Sequence, residues 1–485
     1  MDFILVLVSL AFVIWLYFKT NPMKHGPKFM LRRFINWFPL GMSYAFLYMA
    51  RYNLNVSKNA LGNLMTKEDF GIIFGIGTLV YGLSFLINGP LVDKWGGKKG
   101  MLIALLGACV ANVMMGVVTY MMLKNLWHVN LVVALSILYA INMFFQSYGA
   151  VSIIKIKAYW FHVRERGIFG AIFGTLISFG VYFAFDWGQV IADAAVLKPK
   201  GSMNGVQNLI RHVFAVDTGT SDAIWLVFFI PACILIIWVL LDVWLLKDTP
   251  GDAGFEDFDT QDASSGEMHK EYTKLEILKM IFSNPIMYTI GMIEFTSGVI
   301  RNGILQWYFI FAKEVPQIGA EFFQVHWGVL LCYTGIIGGF AAGAMSDHWF
   351  QSRRGPPAAI FNGLMFFFML VMAVVLLTQP VTVGTCAIII LTLVIGVHAI
   401  MSGTAAADFG GRKITATASG LVDGCVYLGS GFQSICLGFL TTKGWQFWPI
   451  FLLPFTVLGF FLCIKMWKSL PAATKRYFDS IQKKA

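Results

Sequence analysis

About twelve apolar stretches, each close to the roughly 20 residues that cross a bilayer core as helix, are strung along this chain on short polar connections. They run over 34–53, 70–91, 100–123, 128–153, 167–189, 222–246, 285–312, 326–346, 357–378, 382–403, 414–440 and 445–467. In lipid no backbone amide can be left to water, so spans must be helices or a closed barrel, and the alternating ten-residue pattern of a barrel is missing. Composition agrees: 57% of the residues are hydrophobic and 13% charged, against roughly 45–50% and 25% in soluble domains. The expected class is an all-α polytopic membrane protein.

A formal charge of +10 would suggest nucleic acid in a soluble chain, but here Lys and Arg gather in the connections, where they report topology. Placing the 93–99 loop in the cytoplasm also puts 155–166, 247–284, 347–354, 412–413 and the Lys-rich tail there. An inner membrane is expected, and no nucleic-acid partner. Residues 3–18 form a further apolar run, followed by Lys19, Lys24, Lys28, Arg32 and Arg33. A signal peptide would carry its charge in front and a small-residue cleavage site behind, so an uncleaved extra helix with its amino end outside is expected. The polar 247–284 segment divides the spans six and six. The organisation is then an extra helix with a basic segment (1–33), a six-helix bundle (34–246), a linker (247–284), a second bundle (285–468) and a tail (469–485). A polar 190–221 stretch falls outside. The 7 cysteines lie in apolar segments without disulfide or zinc spacing, and no cofactor or metal is expected.

Between spans two and three, residues 89–99 read G-x-L-x-D-K-x-G-x-K-K, with Gly89, Asp93, Gly96, Lys98 and Lys99. The glycines permit a tight turn and the acid can meet a helix terminus or a cation. A weaker copy follows span eight, with Asp347, Arg353 and Arg354. The paired loops resemble the signature loops of the major facilitator superfamily, which implies two six-helix bundles related by an internal repeat, here with one extra amino-terminal helix.

Arg51 lies late in span one and Arg301 near the middle of span seven, the spans that open the two halves. An intramembrane arginine is costly and functional by default. Two facing guanidiniums repel unless a dianion sits between them, and their forks suit phosphate oxygens. For Arg51, snorkelling to the outer interface is the alternative. Tyr48 and Asn53 flank Arg51, and Gln306 and Trp307 follow Arg301, as ligand contacts or as packing. Of three acids in apolar runs, Asp186, Glu294 and Asp423, Glu294 precedes Arg301 by two turns on one face. It is either its counter-ion or a protonatable coupling site, a role open to Asp423 too. His398 either titrates, binds phosphate or is a hydrogen-bonded core histidine.

From Phe34 to Trp467 the chain resembles the organophosphate:phosphate antiporter family. The resemblance rests on 48–53 (YMARYN), 145–149 (FQSYG) leading to Lys155, 160–161 with 165–167, 248–250 with Gly254, 301–307 (RNGILQW), 345–347, 396–399 (GVHA) and 427–429. It implies that Arg51 and Arg301 are the phosphate-binding pair and that Lys155 is a basic position of span four. The chain departs from the family at Phe85, where many relatives carry Lys. It departs again at Ile177, in place of a His, and at Cys332, in place of an acid; together these imply a cargo other than glycerol 3-phosphate itself.

The resulting expectation is a monomeric secondary transporter exchanging a phosphorylated organic compound, such as a sugar or glycerol phosphate, for inorganic phosphate. A sugar-phosphate sensor acting with a kinase partner and a proton-coupled carrier of another anion are the alternatives. No nucleophile, base and third group recur at usable spacing, so an enzyme is not expected.

Overall fold

The computed structural model describes residues 2–126, 130–162, 165–199, 201–260, 283–350, 353–405 and 415–469, and among these there is no strand. Helix α1 is Asp2–Lys19, α2 Pro27–Leu61, α3 Lys67–Trp95, α4 Gly97–Leu123, α5 Leu131–Trp160 and α6 Arg166–Tyr182. A π-helical stretch, Phe183–Trp187, leads into α7, Gly188–Ala195; α8, Gly205–Val213, lies in the outer loop before α9, Leu226–Leu245. The later helices are α10, Pro285–Glu314, then, past a single turn at Glu321–Val325, α11, Trp327–Trp349, and α12, Gly355–Val375. Helix α13, Pro380–His398, is prolonged by a π-helical stretch, Ala399–Ala405; α14 is Thr415–Lys443 and α15 Phe447–Lys465.

Helix starts follow local chemistry. Thr66 and Asp69 form a reciprocal capping box on α3, while the side-chain oxygens of Asn130 and Asn284 accept from the first-turn amides of α5 and α10. Proline stands in the first turn of α2, α10, α12 and α13, where its missing N–H costs nothing.

Ten of these helices are long and apolar enough to cross a membrane on length and composition alone. The two long helices outside that set are α2, of 35 residues, and α10, of 30. They carry the arginines. Both are buried almost all round, so neighbouring helices rather than lipid meet their polar groups. Helix α2 also runs eight residues past the expected end of its span, because Asn55, Ser57 and Lys58 are buried in protein.

Helices α2 to α9 pack among themselves, as do α10 to α15, an arrangement compatible with two six-helix halves preceded by an extra helix. The halves meet along two seams, α3 against α14 and α6 against α11. Glycines mark where the described residues come closest. A Cβ on Gly71 of α3 would meet the Ser434 carbonyl oxygen at 2.5 Å and one on Gly82 the Gly424 carbonyl at 2.9 Å, whereas Gly89 has no described atom within 4 Å. On the other seam Gly328 of α11 abuts the Asp186 carboxylate, while Gly174 and Gly343, further toward the basic side, meet nothing. The outer helix ends are tied by Lys58 and Lys67, whose Nζ atoms lie 3.8 and 2.9 Å from the Glu314 carboxylate. Asn59 Nδ2 also donates to the Phe309 carbonyl at 3.1 Å. These ties close the molecule on its outer side.

Helix α1 runs beside α6 and touches both halves. Its Ser9 hydroxyl lies 3.1 Å from the Tyr333 hydroxyl of α11, and Tyr17 donates to the Met30 carbonyl at 2.9 Å and accepts from Arg33 Nε at 3.0 Å. Arg33 in turn forks both oxygens of Glu165 at 2.9 Å. His25 and Phe29 pack on this pair, and Phe255 and Phe258 of the linker stack against them. Burial and the Arg33 charge hold the His25 imidazole below its ordinary range, with Glu165, 3.7 Å away, pulling the other way. In the outer loop Arg211 is buried, donating to the Ala194, Val196 and Leu197 carbonyls and to Asp217, which fastens α8 to the end of α7.

Candidate functional site

Tyr44, Tyr48, Arg51 and Tyr52 recur on one face of α2, at i, i+4, i+7 and i+8. That face is turned into the protein, and Arg51 is 1% exposed. Its Nε donates to Gln146 Oε1 of α5 at 2.9 Å and its Nη1 to the Tyr427 hydroxyl of α14 at 3.2 Å, while Nη2 finds no partner. The guanidinium carbon sits 4.4 Å from the ring centre of Tyr81 and 4.6 Å from that of Tyr48. Cation–π contact offsets part of the lost hydration, but no carboxylate neutralises the charge among the described residues. Snorkelling is excluded by this burial.

The same elements explain why the fork is held. Asn53 donates to Asn112 Oδ1 at 2.7 Å, Asn112 and Gln146 both donate to Asn142 Oδ1, and Asn142 donates to the Ala50 carbonyl. This amide chain sets Gln146 against Arg51 from behind. Asn53 therefore supports the arginine without facing the site.

Arg301 of α10 is half-buried and makes no hydrogen bond or ion pair among the described residues. Its electrostatic neighbours are Tyr427, Tyr52 and Tyr48, then Glu294. Tyr427 is within Coulombic reach of both arginines, so the two cations from opposite halves converge on one phenol. Tyr427 also contacts Tyr81 at 4.2 Å and Phe85 at 6.3 Å between ring centres. The departure at Phe85 thus lies beside the arginine pair.

The remaining candidates fall elsewhere. Glu294 is not the ion-pair partner of Arg301: its carboxylate turns toward α13, where Oε2 is 2.7 Å from His398 Nδ1, and Oε1 has no partner. Asp423 accepts from the Ser402 hydroxyl. Trp307 is fully buried, its indole N–H donating to Gln433 and its ring packing on Phe70 and Trp445, away from Arg301's neighbours. Lys155 is not beside the arginines. It sits near the basic end of α5, more than two turns beyond Gln146, and its Nζ pairs with Asp93 at 3.0 Å. Cys332 is buried on α11, and Ile177 half-buried on α6 in the apolar core.

In the first loop the chain turns only at Gly96, because α3 continues through Gly89 and Asp93 to Trp95. Gly96 takes φ +93°, open to glycine, and a Cβ there would strike the Asp248 carboxylate. Asp248 in turn accepts from the Lys98 amide at 2.8 Å and so caps α4, while Lys98 Nζ reaches the Val243 carbonyl and Lys99 is exposed. In the second loop Arg354 donates to the Ser346 hydroxyl, which donates to the Arg353 carbonyl. The side chain of Asp347 lies outside the described residues.

Tyr44, Tyr81, Gln146 and Tyr427 were not among the residues singled out for the site from sequence. The four-residue tyrosine spacing on α2 was a usable signal for Tyr44. Nothing local marks Tyr427, which meets Arg51 across 376 residues.

The major facilitator superfamily model matches residues 40–434. The chain is 25% identical to the glycerol-3-phosphate transporter of Bacillus subtilis (strain 168), covering 88% of this chain and 90% of that protein. It is 23% identical to the membrane sensor protein UhpC of Escherichia coli (strain K12), over 80% and 81%, and to the probable hexose phosphate transport protein of Chlamydia trachomatis, over 93% and 95%. In fold it matches a crystal structure of a bacterial homologue of the human lysosomal transporter Spinster, with a TM-score of 0.68 at 12% identity, covering 92% and 98%. The chain, a multi-pass membrane protein of helices closed on one side around a buried arginine, belongs to the major facilitator superfamily.

Proposed function

We propose that this protein is a secondary active transporter that exchanges a phosphorylated organic compound for inorganic phosphate by alternating access. The observation that carries the reading is the pair Arg51 and Arg301, one from each half, sharing Tyr427 and lacking any carboxylate partner among the described residues. Buried cations need a counter-charge, and a phosphoryl group with two negative charges supplies it to both at once. The unpartnered Nη2 of Arg51 is a donor available to that ligand. Tyr48 and Tyr52 complete the surround.

The units that rock are the halves 34–246 and 285–468, acting within one monomer in the inner membrane. The form closed on the outer side is one end state, and substrate binding at the shared site lowers the cost of exchanging it for the other. Named relatives that carry glycerol 3-phosphate or hexose phosphate support the substrate class.

The test is uptake of labelled phosphate into proteoliposomes loaded with unlabelled phosphate. Counterflow that depends on Arg51 and Arg301 supports the proposal. Binding of a phosphate ester without any counterflow would overturn it and favour a sensor, the role named for one relative.

A further inference from the structure

We propose that the organic part of the cargo carries a protonated amine, making the substrate class a phosphate monoester with an ammonium group, as in an amino-sugar phosphate. This rests on the phosphate-exchange reading and adds to it a charge requirement one level below the arginines.

On α14, Asp423 and Tyr427 are four residues apart, and on α10, Glu294 and Arg301 are seven apart. Each pair therefore shares a helix face, with separations along the axis of roughly 6 and 10 Å. Helices α10 and α14 pack against each other. A level of two cations and a phenol thus lies over a level of two carboxylates nearer the basic side.

The acidic level is closed from α13. His398 meets Glu294 through Nδ1 at 2.7 Å, and the Ser402 hydroxyl donates to Asp423. His398 thus occupies the Glu294 carboxylate. Asp423 forms no ion pair among the described residues and is half-buried. Beside it Glu294 is fully buried with Oε1 unsatisfied, and above it Arg51 is fully buried with Nη2 unsatisfied.

A lone carboxylate a turn from a dianion site weakens binding of any ligand that is only anionic, because like charges repel at that range in low dielectric. The arrangement is balanced when the ligand brings a positive charge to Asp423. Two arginines then meet two phosphoryl charges, His398 meets Glu294, and Asp423 meets the ammonium. Tyr427, one turn from Asp423 along α14, and the Phe85 ring packed on it offer aromatic faces that an alkylammonium can meet. Neutral hydroxyls would be served by amide or hydroxyl partners without the repulsion.

The experiment uses full-length protein in proteoliposomes, measuring inhibition of labelled-phosphate exchange by matched esters. Glucosamine 6-phosphate is compared with glucose 6-phosphate, and phosphoethanolamine with glycerol 3-phosphate for a shorter spacing. The expected result is that the amine of at least one pair inhibits at about a ten-fold lower concentration in the unmodified protein. Asp423→Asn is then expected to bring that ratio close to one, whatever its absolute rate. Equal inhibition within both pairs overturns the amine requirement while leaving phosphate exchange standing, and a ratio that survives Asp423→Asn overturns the assignment to Asp423. Should that variant not be produced, the ratios of the unmodified protein decide alone. Absence of phosphate exchange in the unmodified protein removes the underlying transport reading instead.

Discussion

Arg51 and Tyr427 come from opposite halves of the chain and are joined by a hydrogen bond of 3.2 Å from Nη1 to the phenol oxygen. The bond uses a donor that an anionic ligand would otherwise take, so Tyr427 holds the guanidinium in place between cycles. Arg51→Lys keeps the charge but loses the fork, the Gln146 bond and the ring stacking. At about 1.5–3 kcal/mol for each charge-assisted bond, exchange should fall roughly ten- to a hundred-fold for every such bond removed. Arg301→Lys should fall comparably. The measurement is initial rates of phosphate exchange at matched reconstitution levels; near-normal rates in both would remove the arginine clamp.

Glu314 is the acid that closes the outer side, reached by Lys58 and Lys67. It is 34% exposed, so each pair is screened and the two together are worth about 1 kcal/mol at most. Glu314→Gln should therefore shift the population toward the outward-open form by up to about five-fold rather than abolish closure. Labelling of a cysteine placed at Asn59 by an impermeant maleimide, with and without Glu314→Gln, reads the shift. No change in labelling rate would mean that the α3–α14 seam, not the ion pairs, sets the equilibrium.

How much of the fold and the site was legible in the sequence depends on how local the signal is. The arginines were, because an arginine inside an apolar run is costly and this one recurs at the start of both halves. The turn at Gly96 was, because turn chemistry is carried by neighbours, but the Asp248 that caps the next helix was not, being 150 residues away. Pairings between distant helices were not. Glu294 shares a face with Arg301 along α10, and sequence spacing could not reveal that His398, 104 residues on, would take the carboxylate instead. Lys155 misled for a related reason: span ends cannot be fixed within a turn, and a turn separates the membrane interior from the Asp93 loop.

His25 makes stability depend on pH. Its imidazole is held below its ordinary pKa of 6.5 by burial and by Arg33. The unfolded chain therefore binds the proton more readily than the folded one, and acidification through about 6.5 favours unfolding. Thermal unfolding temperature should fall from pH 7.5 to 5.5 in the unmodified protein, and fall less in His25→Gln. An equal fall in both would assign the acid sensitivity to other groups.

Ser9 and Tyr333 test whether α1 rides on one half or straps both together. On the basic side α1 is fixed to the first half through Tyr17, Met30 and Arg33, while its middle meets α11 of the second half through Ser9. Opening the outer side must separate α6 from α11, and the Ser9 to Tyr333 contact spans that seam. A Ser9→Cys and Tyr333→Cys pair, in a background with the native cysteines replaced, should form a disulfide on oxidation. Because the bond forbids the separation, phosphate exchange should drop by more than about ten-fold and return on reduction. Single Ser9→Ala removes two hydrogen bonds, of which only the one to Tyr333, worth about 1 kcal/mol, joins α1 to the second half, so it should leave the protein folded and change the exchange rate by no more than about five-fold. Full exchange by the cross-linked protein would show that α1 moves with the second half and that the seam opens beneath it.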